Sequence, residues 1–136
     1  MSLYLCIFDG DQEIAGVEVG SYAEFNALRA SIAALEGGPA GTRFPGLMLH
    51  SDCEGEWSVA ACAQLERELA TIVRELADRP PQPFPSEAQA RLAAERGLVP
   101  RHAGECFLDV DGSPLLGRLQ ALVAVARHTG LPLLFQ

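Results

Sequence analysis

The run Leu3-Tyr4-Leu5-Cys6-Ile7-Phe8 is unbroken by the polar gaps an amphipathic helix would show, and it stops at Asp9-Gly10-Asp11. Rich in β-formers, it predicts a strand covered on both faces. Past the break, Glu13-Ile14-Ala15-Gly16-Val17-Glu18-Val19 sets Val17 and Val19 on one side and Glu18 on the other. The chain therefore opens on a β-hairpin turned by Asp-Gly chemistry, with Gly16 a candidate bulge. A hairpin cannot bury its apolar face alone, so the remaining segments must cover it.

Helical patterns supply the cover. Ser21 and Glu24 have the spacing of a capping box, and Phe25, Leu28, Ile32 and Leu35 follow at three-and-four intervals until Gly37-Gly38-Pro39. Ser58 opens a longer stripe, Cys62, Leu65, Leu69, Ile72 and Leu76, whose outer face carries Glu66, Arg67, Glu68, Arg74 and Glu75. Beyond a stiff proline crossing around Phe84, Ser86 and Gln89 mark a short helix ending near Gly97. Ser113 as cap and Pro114 as first helical residue introduce a last helix, with Leu115, Leu119, Leu122, Val123 and Ala126 facing inward and Gly130 closing it. Leu47 to Leu49, Glu105 to Val110 and Leu133 to Phe135 complete the strand expectations. These elements predict a single α/β domain over residues 1–136, with α+β as the neighbouring class. Its mixed sheet would have about five strands, an N-terminal hairpin and about three or four packed helices.

Composition narrows the functions open to such a domain. A net charge of −8 with ten scattered basic residues leaves no basic stripe for a phosphate backbone, which argues against nucleic-acid binding. No apolar stretch approaches membrane length, and Cys6, Cys53, Cys62 and Cys106 lack the spacing of a secreted disulfide framework. The expectation is a soluble cytoplasmic protein with reduced, partly buried thiols.

The densest chemistry lies in Leu49-His50-Ser51-Asp52-Cys53-Glu54-Gly55-Glu56-Trp57. A small metal-binding or hydrolase-like site using His50, Asp52 and Cys53, with Glu54 and Glu56 as further metal ligands and help from His102, Cys106, Asp109 or Asp111, has suitable residue types. The spacing matches no zinc or calcium pattern. No nucleophile elbow or phosphate loop is present. Phe107-Leu108-Asp109-Val110-Asp111-Gly112-Ser113 resembles the opening motif of the haloacid dehalogenase phosphatases but falls near the C-terminal end, where the rest of that fold has no room. It reads as turn and helix-entry chemistry. Trp57 beside three carboxylates reads either as an anchor within an acidic rim or as a staple packing its loop on the next helix.

Four segments together carry a resemblance over nearly the whole chain: Met1 to Asp11, Leu49 to Trp57, Phe107 to Gly112, and Leu131-Pro132-Leu133-Leu134-Phe135-Gln136. They resemble a family of small bacterial immunity proteins associated with polymorphic toxin systems. That resemblance implies a cytoplasmic protein that binds a cognate toxin domain and blocks it, and it implies no cofactor. The expectations of no enzyme activity, no metal, no nucleic acid and no membrane rest on the missing motifs, ligand spacing, basic stripe and membrane-length run. Asp52, Glu54, Glu56 and Trp57, with Asp109 and Asp111 nearby, are the expected partner-binding residues. A homodimer joined through an exposed edge strand is the other assembly considered.

Overall fold

A computed structural model describes residues 2–136 and places four strands in one antiparallel sheet. Strands β1 (Ser2–Asp9) and β2 (Gln12–Ser21) form the opening hairpin, turned at Gly10 with φ 63°. Their pairing slips twice, leaving Ile14 and Val19 as the extra residues of β2, so the bulges flank Gly16 instead of falling on it. The short strands β3 (Glu56–Trp57) and β4 (Leu133–Phe135) complete the order β2-β1-β4-β3.

Helix α1 (Tyr22–Glu36) begins with the expected reciprocal cap: Ser21 accepts the Glu24 N–H, and the Glu24 carboxylate accepts the Ser21 N–H. Helix α3 (Val59–Leu76) starts at Ser58, α4 (Glu87–Glu95) at Ser86, and α5 (Leu115–Thr129) ends at Gly130 with φ 70°. The Ser113 side chain does not cap α5; Pro114 holds the cap position without a side-chain bond. Phe25, Leu28 and Ile32 of α1, Leu65, Leu69 and Ile72 of α3, and Leu119 and Val123 of α5 share one core with Leu3, Leu5, Ile7, Val17, Leu133 and Phe135 of the sheet. Full burial of each large side chain contributes about 1.5–3 kcal/mol.

Two expected strands are absent. Pro45 begins a single helical turn, α2 (Pro45–Met48), instead of a strand through Leu47 to Leu49. The buried Glu68 carboxylate of α3 accepts the open N–H groups of Gly46 and Leu47, which holds that turn and sends Leu47 into the core. Segment 105–110 leaves a 3-10 turn, Ala103–Glu105, and then folds into a hook. Within it Leu108 makes an isolated bridge to Pro114, and the Val110 N–H donates to the Glu18 carbonyl on β2. With those two strands replaced, the α/β class holds, but the sheet has four strands and every pair is antiparallel.

The register also corrects the expectation that β1 is covered on both faces. One row across the sheet reads Gly16, Cys6, Leu134, Glu56, and the next row on that face pairs Glu18 with Tyr4. None of these side chains belongs to the core packed by the helices. Helices α1, α3 and α5 cover the other face.

Candidate protein-binding surface

The loop after α2 is held from inside. His50 stacks on Phe135 at 4.3 Å between ring centroids, and Trp57 meets Phe135 edge-on at 4.7 Å. The His50 ring nitrogens lie 2.8 and 2.9 Å from the carbonyl oxygens of Ser51 and Glu56, so both ring edges are engaged by the loop's own backbone. Arg29 of α1 donates to the His50 carbonyl at 2.8 Å and lies over the Phe25 ring at 4.5 Å. Burial pulls the Arg29 pKa down, with the charge of Asp52 acting in the opposite direction. Its Nε is buried with no hydrogen-bond partner.

The expected contact residues separate into three groups. Glu54 and Glu56 are exposed, and half-buried Asp52 accepts a 2.7 Å hydrogen bond from Asn26. That bond, ahead of the other influences, holds the Asp52 carboxyl below its ordinary range. Trp57 is only 2 % exposed, and its indole N–H donates to the Gly46 carbonyl at 2.9 Å. It therefore staples the loop to α2 from within the core, and no anchor ring is presented at the surface.

Asp109 is likewise 2 % exposed, with one oxygen accepting the Ser113 N–H and the other the Arg118 side chain. This carboxylate is committed to internal partners. Asp111 is exposed, but its hook bonds to β2, while Glu56 belongs to β3. These strands are opposite edges of the sheet, so Asp111 is not the neighbour of Glu54 and Glu56 that was expected.

The residues of the metal or hydrolase alternative are not brought to one point. His50 turns both nitrogens to carbonyls, Asp52 turns to Asn26, and the Cys53 thiol lies 3.6 Å from the Ser51 hydroxyl. Among the described residues, no group of three or more His, Cys, Asp or Glu side chains could hold a metal ion. Cys53 is exposed; Cys6, Cys62 and Cys106 are buried, and all four are free thiols. Among the described residues, no helix is long and apolar enough to cross a membrane.

Sequence reasoning missed the sheet face opposite the helices. On it Tyr4, Phe8 and Leu134 are half-buried, and Glu13, Glu18 and Glu56 are exposed around them. Tyr4 lies across Gly16, where an added Cβ would clash with its hydroxyl. The signal was present in the alternation of Val17, Glu18 and Val19, which gives β2 an outward side that a doubly covered β1 would contradict.

A family model described as immunity protein 70 matches residues 3–135. Neither the curated proteins nor the solved structures yield a match.

Proposed function

Since the chain belongs to the immunity protein 70 family, we propose that it binds a cognate toxin protein and neutralises it by contact through an acidic surface, in the cytoplasm of the cell that makes both. In this reading the protein is an inhibitor and not an enzyme, and it needs no cofactor. The family match carries the immunity role, and the distribution of charge supports the choice of surface. All ten basic residues are arginines, and none lies on a strand; Glu13, Glu18 and Glu56 do. A sheet face that carries carboxylates and no arginine would speed encounter with a cationic partner and disfavour wrong ones.

Glu54 and Glu56 are the expected contact residues best placed for this role, with Asp52 behind them on the same loop. Co-expression with candidate toxin domains from the open reading frames flanking this protein's gene tests the reading. The expected result is restored growth and a stoichiometric complex that survives purification. A toxin that kills equally with and without this protein overturns it.

A further inference from the structure

Resting on that immunity reading, we propose that the open sheet face is the toxin-docking surface, with Tyr4, Phe8 and Leu134 as its apolar centre, Glu13, Glu18 and Glu56 as its rim, and a lysine- or arginine-rich protein surface as its occupant. Three observations converge on it. The face carries aromatic and aliphatic side chains that the helical core does not use. Aromatic groups ringed by polar ones form the energetic centre of many protein interfaces, because the rim excludes water from the contacts in the middle. Strands β1, β2 and β4 underneath form a paired, hydrogen-bonded platform, so a partner would meet a preformed surface and little ordering entropy is lost on binding.

Charge selects the occupant. The charged residues of that rim are all carboxylates, with neutral Ser2 and Gln136 beside Tyr4, so a cationic protein surface is matched and an anionic one is repelled. A second copy of this chain is a poor occupant. The face of a second copy carries the same Glu13, Glu18 and Glu56 and no arginine on its strands, so laying two such faces together would bring like charges into contact. Glu56 also joins this face to the loop carrying Glu54, which extends the acidic surface without a break in chain.

The test compares the full chain with the triple variant Glu13→Lys, Glu18→Lys, Glu56→Lys, and with a control carrying the same charge change on the helical side, Asp78→Lys, Glu87→Lys, Glu95→Lys. Affinity for the flanking-gene toxin domain used in co-expression is measured by calorimetry, with circular dichroism and melting run on every variant. The sheet-face variant should bind about 100-fold more weakly or worse, while the control binds within about threefold of the parent. Phe8→Ser, a half-buried change outside the core, should also weaken binding at least tenfold with the fold retained. Unchanged affinity in both sheet-face variants overturns this assignment and leaves the immunity reading standing. A parent chain that neither binds nor protects overturns both. A parent dimer that the triple lysine variant splits into monomers gives the face to a second copy and overturns the proposal.

Discussion

Arg118 of α5 donates from Nε to the Asp109 carboxylate at 3.0 Å, tying the last helix to the hook that precedes it. The carboxylate side chain is 1 % exposed and the guanidinium bearer 41 %, so only one end of the pair is cut off from solvent. Removing Arg118 strands a buried charge whose remaining donor is the Ser113 N–H. Arg118→Ala should therefore cost about 1–3 kcal/mol in urea unfolding, towards the lower end because the arginine is partly solvated. Adding Asp109→Asn should recover part of that loss, since a neutral amide needs no counter-charge. Strict additivity of the two changes would show that the pair is not coupled.

Glu36 offers a pH test. This residue ends α1, is 4 % exposed, and accepts the backbone N–H groups of Gly41, Arg43 and Phe44. Burial pushes its pKa up, but those donors, with Phe44 foremost and Arg43 adding its charge, outweigh burial and hold it below the ordinary carboxylate range. A depressed folded-state value means that the stabilisation is complete above the unfolded value of about 4.3 and is lost as pH falls through the folded one. Glu36→Gln should lower stability at neutral pH by about 1–3 kcal/mol and flatten this part of the acid limb. The check is a series of denaturation midpoints from neutral pH down through the acid range; a parallel acid limb in the variant contradicts the assignment.

Trp57 separates a core staple from an interface anchor. Trp57→Phe keeps most of the buried ring and removes the N–H donated to Gly46, leaving that carbonyl without its partner. A loss of about 1 kcal/mol in stability is expected, with toxin affinity unaltered once the protein is folded. A fall in affinity at undiminished stability would mean that the ring is reached by the partner after all.

These cases also show which parts of the fold could be read from the chain. The stripes of α1, α3 and α5 and the Ser21 and Glu24 cap depend on residues three or four apart, so local spacing declares them. Leu47 to Leu49 is different: three apolar residues carry no period, and what makes them part of a helical turn is Glu68, distant in sequence. Strand β3 has only two residues, and its pairing depends on Leu133 and Leu134 at the other end of the chain. Asp109 reads correctly as turn chemistry, but its burial depends on where α5 carries Arg118. The acidic character of the surface was legible from composition. That Glu13, Glu18 and Glu56 share one face of the sheet was not, because that required knowing the strand register and which side the helices occupy.

Tyr4 makes the open face measurable without any partner. Hydrogen bonding to Glu13, then burial and the nearby charges of Glu13, Cys6 and Glu18, push its hydroxyl up to about 12. A raised folded-state value implies a contribution that is intact below the unfolded value of about 10 and is lost as pH rises towards 12. Tyr22 is the other tyrosine, so in a Tyr22→Phe background the phenolate absorbance near ~295 nm follows Tyr4 alone. Its midpoint should fall on adding Glu13→Gln, which removes a negative charge that opposes ionisation. Gly16→Ala should lower it as well, because the new methyl group displaces the ring from its seat beside Glu13. A midpoint near 10 in the parent, or one indifferent to both changes, would mean that Tyr4 does not rest against Glu13 over Gly16, and the acidic rim would then lack the aromatic centre drawn for it.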